Sequence, residues 1–249
     1  MSQLIQRQDR EGLCTLTLNR PEKRNALNAA MFIELDHHLA DLEAETDTIG
    51  CVVLRGAGPG FCAGADIGGI ADTQAQPAIV DKPGVIARLE RLPQPVIAAV
   101  HGNCYTGGLE LALAADFIVA CDNARFADTH GKWGLVGGWG MTQRLPRRIG
   151  MAQAKRLMMT ARVIDAQEAV AIGLADLCVA ESAFEQALAD FVGQLLANSW
   201  FTNRETKRLL RESDGLSLRD GLAYEIAHHP GSAPDVAERL ARFSAKSRP

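Results

Sequence analysis

The residues best suited to chemistry lie where an apolar run meets a pair of glycines. Val96–Val100 is predicted to be a buried strand, and Gly107 and Gly108 then open an apolar helix in which Glu110 is the only charge from 109 to 115. Glycines at a helix start leave backbone N–H groups uncovered, and such groups attract a polarised oxygen. Glu110, about one turn later on the same side, is a candidate general base. With Gly107 as the N-cap, however, it would occupy N3, a common position for a capping glutamate.

A second glycine-rich segment, Gly56–Asp66, directly follows a predicted strand. Its spacing does not match a dinucleotide-binding fingerprint, and Pro59 interrupts the position where the helix of that motif would begin. Glycines let the backbone approach a ligand closely, so N–H groups near Ala63–Asp66 are candidate donors. The same pattern fits a tight turn with packing glycines, and for this segment taken alone the tight turn is the favoured interpretation.

A third segment combines an acid and a histidine with many glycines. If Phe126–His130 is extended, Asp128 and His130 project from one face, where the carboxylate can orient or charge the imidazole. The alternative is an ordinary surface or packing histidine. Trp133 and Trp139 follow in the same segment. These two rings would either line a pocket for a bulky group or pack in the core, and packing is the slightly favoured interpretation.

Alternating strands and helices must position these residues. Short, mostly continuous apolar runs predict five strands, at Leu13–Leu18, Cys51–Arg55, Val96–Val100, Phe117–Ala120 and Leu177–Val179. Helical spacing predicts five helices, at Asn28–Glu45, Phe184–Asn198, Thr202–Arg211, Leu218–His228 and Asp235–Phe243. The pattern indicates an α/β core with largely parallel pairing, followed by a helical tail.

Composition restricts the expected partners and compartment. The 249 residues carry a formal net charge of −4, which argues against nucleic-acid binding because that needs a basic face. A basic face on the second tail helix is therefore interpreted as a solvent or subunit contact; it comprises Arg204, Lys207, Arg208 and Arg211. No apolar run is long enough to span a membrane, and the first residues lack the apolar stretch of a signal peptide. Six scattered cysteines are typical of free thiols in a reducing cytoplasm, so a cytoplasmic location is expected.

Several motifs together resemble the enoyl-CoA hydratase/isomerase family of the crotonase superfamily. The resemblance rests on the order and spacing of Leu18–Asn28, Phe61–Ile67, Ala99–Glu110, Gly138–Leu145 and Ala169–Ala175. It implies an α/β fold with a crotonase-like ββα spiral core over residues 1–190 and a C-terminal helical oligomerisation region over residues 191–249. That region would pack homotrimers or dimers of trimers. The implied substrates are acyl-CoA thioesters, with neither a metal nor a redox cofactor, and coenzyme A enters only as part of the substrate.

The resemblance also implies roles for individual residues. The backbone N–H groups of Ala65 and Gly107 would form an oxyanion hole for the enolate of the thioester. Glu110 matches the first catalytic glutamate of the hydratases, whereas the second glutamate maps onto His130. Coenzyme A is expected to contact Lys23, Arg24, Ala26, Leu27, Ala63, Asp66 and Ile67, together with Lys246 of a neighbouring copy.

Further departures from the family pattern bear on the reaction: Gly68 replaces a lysine, Thr106 a glycine and Gly137 a proline. The preferred prediction is a hydratase-like lyase that adds water across the 2,3 double bond of an acyl-CoA thioester, with Glu110 as base and His130 as acid. Two alternatives stay open. One is another reaction of this family on an acyl-CoA, namely thioester hydrolysis, isomerisation, decarboxylation or C–C cleavage. The other is a scaffold that binds acyl-CoA without catalysis.

Overall fold

Strands and helices alternate through the part of the chain that a computed structural model describes, residues 3–66, 68 and 80–246 without the Lys246 side chain. The strands are β1 (Ile5–Arg10), β2 (Leu13–Leu18), β3 (Cys51–Gly56), β4 (Val96–Val100), β5 (Asn103–Tyr105), β6 (Phe117–Cys121), β7 (Arg125–Ala127), β8 (Ile164–Asp165) and β9 (Leu177–Val179). The helices are α1 (Ala29–Ala44), α2 (Lys82–Arg91), α3 (Gly107–Ala112), α4 (Met141–Thr160), α5 (Ala166–Ala171), α6 (Phe184–Ala197), α7 (Trp200–Glu212), α8 (Leu218–His228) and α9 (Val236–Lys246). All five predicted strands and all five predicted helices are present, which confirms the α/β prediction.

The main sheet has the strand order β1-β2-β3-β4-β6-β9. β1 pairs with β2 antiparallel, and every other pair in this sheet is parallel. All five residues of β4 are buried, as are five of the six in β3. Strands that are covered on both faces read as continuous apolar runs, which explains why the sequence revealed them.

Sequence patterns missed the edge strand β1 because its residues, IQRQDR, are mostly polar and only Ile5 is buried. Glu11 and Gly12 connect β1 to β2 with φ angles of +50° and +85°. Two consecutive residues in the left-handed region close a two-residue hairpin whose twist matches that of the strands. Register with β2 therefore depends on this turn and on the partner strand more than on the apolar content of β1.

A second sheet has three strands, and the candidate site lies at its end. Its order is β5-β7-β8, with β5 and β7 parallel and β7 and β8 antiparallel. The chain runs from β4 into β5 and from β6 into β7 across short turns, so successive turns of the chain add one strand to each sheet. The strands of this sheet have only two or three residues each and leave no readable periodicity, so the apolar runs did not reveal them.

The first tail helix completes the core. In α6, Phe184, Leu188 and Val192 are buried in one cluster with Val53 and Ile97 of the main sheet. This packing covers the sheet face opposite the larger core cluster. The predicted boundary between residues 190 and 191 falls within α6 and stays a prediction.

Two residues of the basic face of α7, Arg204 and Lys207, dock on the core, so the interpretation as a solvent or subunit contact was wrong for them. Arg208 forms its ion pairs within α7. The Lys207 ammonium donates to Asp116 Oδ2 at 2.7 Å and to the Gln94 carbonyl at 2.9 Å. Arg204 donates to the Thr46 carbonyl at 2.6 Å. Burial raises the pKa of Asp116 and lowers that of Lys207, so each charged group depends on the other. A charge pattern cannot show that its partner lies about 90 residues earlier in the chain.

Helices α8 and α9 present apolar side chains at the surface of the single chain. Leu218 is 82% exposed, Ile226 81% and Leu240 61%. Large exposed apolar patches commonly mark interaction surfaces. In the described part of the chain, no helix has the length and apolar content needed to span a bilayer.

Candidate active site

Two chain segments that are distant in sequence meet at the end of the small sheet. Cys62 and Cys104 form a parallel bridge, in which the Tyr105 N–H donates to the Cys62 carbonyl at 3.0 Å. This bridge brings the turn after Cys62 against the start of α3. A Cβ atom placed on Gly107 would lie 3.2 Å from the backbone nitrogen of Ala65. The two predicted oxyanion-hole residues are therefore neighbours.

The N–H groups of Ala65 and Gly107 donate to no acceptor among the described residues. On either side of Ala65, the Leu27 N–H donates to the Gly64 carbonyl at 2.8 Å and the Asp66 N–H to the Leu27 carbonyl at 2.9 Å. This parallel pairing fixes the Ala65 peptide while leaving its own N–H unused. Two unpaired donors side by side are suited to bind a carbonyl oxygen that gains negative charge.

Thr106, immediately before α3, holds an unusual backbone conformation. Its φ and ψ are +46° and −114°, a region that β-branched residues rarely adopt. Its N–H donates to the Ala127 carbonyl at 2.9 Å, and its own carbonyl accepts from the Glu110 N–H at 2.9 Å. A threonine in place of the family's glycine is thus accommodated by bonds to β7 and α3, and it sets the orientation of the following Gly107 peptide.

Glu110 is 1% exposed and points away from its own helix start. Its Oε1 accepts hydrogen bonds from the Trp139 N–H at 2.8 Å and the Met141 N–H at 3.1 Å. Thr106, and not Gly107, is the N-cap, so the alternative of Glu110 as an N3 capping residue is wrong. Burial raises the pKa of Glu110, although the two N–H donors favour its charged form.

His130 faces Glu110 from the opposite side, with Nε2 at 3.9 Å from Glu110 Oε2. Its Nδ1 lies 2.6 Å from Asp128 Oδ1, which also accepts from the His130 N–H at 3.1 Å. The hydrogen bond to Asp128 raises the pKa of His130. β7 ends at Ala127 and a short 3-10 helix begins at His130, so the condition of an extended segment up to His130 is not met. The predicted contact nevertheless forms, because the carboxylate accepts hydrogen bonds from both the backbone and the ring two residues later.

Gly137 allows the loop before α4 to pass close to this pair. A Cβ on Gly137 would lie 3.2 Å from both Glu110 Oε1 and His130 Cε1, and 2.9 Å from Met141 Cβ. No atom of the described residues lies within 4 Å of a Cβ on the neighbouring Gly138. The glycine that replaces the family's proline therefore has a local steric reason.

The two tryptophans of this loop have different environments. Trp139 is partly buried, packs edge-to-face on Phe32 with ring centroids 5.1 Å apart, and lies against Gly107. Its ring therefore borders the candidate oxyanion hole as well as the core. Trp133 is 62% exposed, so the favoured interpretation of core packing was wrong for this residue.

The segments expected to contact coenzyme A run side by side. The Ala63 N–H donates to the Arg24 carbonyl at 3.0 Å, next to the pairing of Leu27 with Ala65. Lys23 and Arg24 are exposed and Ala26 is partly buried. These positions form one continuous strip that leads to the unpaired donors, and the strip is the candidate coenzyme A site.

The other residues expected to contact coenzyme A are either already paired within the protein or lie outside the described residues. The Asp66 carboxylate pairs with Arg20 at 3.0 Å. Gly68 is exposed, and its N–H donates to Asp66 Oδ1 at 3.2 Å. Ile67 and the Lys246 side chain lie outside the described residues.

Sequence reasoning missed Arg20 and Asn25, which hold this strip in place. Arg20 donates to the Ala26 carbonyl at 2.6 Å as well as to Asp66. Asn25 is fully buried, has a φ of +56°, and donates to the carbonyls of Ala57 and Gly60 at 2.8 Å. Asparagine tolerates the left-handed region, so the residue type could have indicated a turn at position 25. The sequence could not show which carbonyls Asn25 binds, because they lie more than 30 residues away.

The fold and this site define an α/β protein that can bind a carbonyl oxygen between two N–H donors and move protons beside it. No group of three or more His, Cys, Asp or Glu side chains converges as a metal site would require, as far as the structure is described. Glu110, His130 and the two N–H donors together can perform acid–base chemistry next to a polarised carbonyl.

Comparison with known proteins identifies the family. A family model described as enoyl-CoA hydratase/isomerase matches residues 8–248. The 2,3-dehydroadipyl-CoA hydratase of Escherichia coli is 38% identical over 229 residues, covering 90% of this chain and 88% of that protein. The short-chain-enoyl-CoA hydratase of Clostridium acetobutylicum is 34% identical, covering 87% and 85%. The crystal structure of an enoyl-CoA hydratase from Bacillus anthracis superposes with a TM-score of 0.93 at 33% identity, covering 98% and 97%.

The chain belongs to the enoyl-CoA hydratase/isomerase family. Its relatives and structural neighbours confirm the predicted crotonase fold, the acyl-CoA substrate class and a hydratase-like, hydro-lyase function.

Proposed function

We propose that the protein adds water to a 2-enoyl-CoA, with Glu110 as the general base and His130 as the general acid. The observation that carries this assignment is the facing pair, in which His130 Nε2 lies 3.9 Å from Glu110 Oε2. Burial makes the Glu110 carboxylate a stronger base, and Asp128 keeps the imidazole of His130 protonated to higher pH. A carboxylate with a raised pKa serves as a base and an imidazole with a raised pKa as an acid, and hydration needs one of each.

Polarisation of the thioester carbonyl is the first step of the proposed reaction. The N–H groups of Ala65 and Gly107 donate to the carbonyl oxygen and stabilise the negative charge of the enolate. Removing one such donor costs about 2.7–4 kcal/mol in well-studied enzymes. Because both donors belong to the backbone, they are fixed by the fold before the substrate arrives.

Two proton transfers complete the proposed hydration, one to Glu110 and one from His130. Glu110 accepts a proton from water while the water oxygen bonds to C3, and the electrons of the C2–C3 double bond move onto the thioester oxygen. His130 delivers its proton to C2 as the enolate collapses. Glu110 is left protonated and His130 neutral, and transfer of one proton between them restores the starting state.

Coenzyme A is proposed to bind along the strip of Lys23, Arg24, Ala26, Leu27, Ala63 and Asp66. Ile67 and the Lys246 of a neighbouring copy remain contacts that the family resemblance implies. Lys23 and Arg24 are exposed at the end of the strip and are suited to the anionic phosphates. The carboxylate of Asp66 is occupied by Arg20, so Asp66 would contribute mainly through its backbone. Coenzyme A is part of the substrate in this proposal, and no metal or separate cofactor takes part.

The proposed assembly is a homotrimer or a dimer of trimers, held by the C-terminal helices. Support comes from the exposed apolar side chains of α8 and α9, including Leu218 and Ile226. We also propose a cytoplasmic location without nucleic-acid or membrane partners. All six cysteines are free thiols, five of them buried, which suits a reducing compartment.

The direct test is loss of the enone absorbance of a panel of 2-enoyl-CoA thioesters, with identification of the product by mass spectrometry. Hydration is supported if the wild type forms a product that is heavier than the substrate by the mass of one water molecule and Glu110→Gln does not. Release of free coenzyme A, loss of carbon dioxide or a moved double bond would instead assign another reaction of the family. Tight acyl-CoA binding without any turnover would favour the non-catalytic scaffold.

A further inference from the structure

A lysine ammonium lies beside the aromatic pair that borders the candidate active site. Lys82 begins α2, and its Nζ is 5.8 Å from the ring centroid of Trp139 and 6.0 Å from that of Phe32. Both distances fall within the range at which a cation is attracted to the face of an aromatic ring. Lys82 is partly buried, so its charge is held against the two rings and not fully in solvent.

The aromatic pair connects this charge to the reacting centre. Trp139 lies so close to Gly107 that a Cβ there would be 2.3 Å from Trp139 Cζ3. The Trp139 N–H also donates to Glu110. An acyl chain whose carbonyl oxygen is bound at Gly107 therefore has the Trp139 ring as an immediate neighbour. The Lys82 ammonium lies over the same ring.

The charge of Lys82 is not neutralised by any carboxylate in residues 3–66, 68 and 80–246. The adjacent Asp81 carboxylate is engaged elsewhere, because its Oδ1 accepts from the Gly84 N–H at 3.0 Å. The nearby Asp36 carboxylate pairs with Arg88 at 2.7 Å. A partly buried cation that no carboxylate of the described residues pairs with is suited to bind an anionic group, since such pairs are screened less than exposed ones.

We propose that Lys82 binds a carboxylate at the far end of the acyl group, so that the preferred substrates are 2-enoyl-CoA thioesters of dicarboxylic acids. The methylene groups of such a substrate pack on the partly exposed ring of Trp139, and the terminal carboxylate binds at the Lys82 ammonium. This inference rests on the proposed hydratase function for its catalytic readout.

The test compares two 2-enoyl-CoA thioesters of equal chain length, one ending in a methyl group and one in a carboxylate. Lys82→Met keeps the length of the side chain and removes its charge. Lys155→Met, at an exposed site on α4, is the matched control for the loss of one positive charge. We expect Lys82→Met to lower kcat/KM for the carboxylate substrate by about 10- to 100-fold, while kcat/KM for the neutral substrate stays within about threefold.

Equal losses on both substrates would overturn the proposal, because they would show that Lys82 acts on the shared coenzyme A moiety or on folding. A wild type without preference for the carboxylate substrate would also overturn it. If neither thioester turns over, the hydratase assignment fails by itself, and calorimetric binding of the two saturated acyl-CoA analogues decides the substrate class. There, tighter binding of the carboxylate analogue that disappears in Lys82→Met supports the proposal, and equal binding rejects it.

Discussion

His130 Nε2 lies 3.9 Å from Glu110 Oε2, so that the imidazole and the carboxylate face each other without a direct hydrogen bond. The other nitrogen of the ring is engaged by Asp128 at 2.6 Å, which leaves Nε2 directed toward the site. Glu110 is held in the same way, because its Oε1 accepts two backbone N–H bonds and Oε2 remains available. Each group thus uses one atom for positioning and presents the other to a substrate.

Glu110→Gln is expected to lower kcat by about 10²- to 10⁴-fold, because the amide cannot accept the proton of water. The amide oxygen can still accept the N–H bonds of Trp139 and Met141, so the loop should keep its position. Steady-state kinetics and calorimetric acyl-CoA binding measure the two effects separately. Unchanged kcat would remove Glu110 from the mechanism, and lost binding would indicate a structural role.

His130→Ala is expected to lower kcat by about 10²- to 10⁴-fold if the imidazole is the general acid. A stopped assay with the same thioester panel gives the comparison with wild type. A loss below about tenfold would reduce His130 to a residue that only lines the pocket.

Asp128→Asn tests the pH dependence, because Asp128 raises the pKa of His130. An acid must be protonated, so activity falls as pH rises through the pKa of His130. The amide still accepts the His130 N–H but carries no charge, and the alkaline limb of the kcat/KM profile should move to lower pH. The acid limb, set by the raised pKa of Glu110, should stay at higher pH than for an ordinary glutamate. An alkaline limb that does not move would contradict the assignment of His130 as the acid.

Gly137→Ala should impair catalysis more than folding. The new Cβ would lie 3.2 Å from Glu110 Oε1 and 2.9 Å from Met141 Cβ, so the carboxylate or the loop must shift. Misplacement of a catalytic group by about 1 Å can cost about 100-fold in rate. Gly138→Ala is the matched control, because no described neighbour lies within 4 Å of its Cβ, and its kcat should equal that of wild type. Equal kcat values for the two variants would show that the approach of Gly137 does not constrain the site.

Lys207→Met should destabilise the protein by about 3–5 kcal/mol, because it leaves the buried Asp116 carboxylate without its cation. Urea unfolding followed by circular dichroism measures the change in free energy of unfolding. The double variant Lys207→Met/Asp116→Asn should recover part of the loss, and Lys155→Met should have no effect. A loss below about 1 kcal/mol for Lys207→Met would show that α7 docks without this ion pair.

Much of the fold could be predicted because its determinants are local. The run at Val96–Val100 is apolar throughout, and the run at Cys51–Arg55 is apolar up to its final arginine. Asn28 caps α1 by accepting the Met31 N–H at 2.9 Å. By contrast, β1 is polar and β8 has only two residues, so their pairing depends on partner strands. The resemblance to the family indicated Ala65 and Gly107 as neighbours, which no local spacing could do.

The sequence by itself determined the types of residue at the site: a glutamate after two glycines, a histidine two residues after an aspartate, and glycines where the backbone must pass closely. Only the tertiary structure decided their orientation. Glu110 turns away from its helix start because Trp139 and Met141 offer N–H donors, and the cation of Lys82 comes to lie on the Trp139 ring. Hydrogen bonds and ring contacts between segments tens of residues apart depend on how those segments pack in the folded chain. A local sequence pattern does not show that packing.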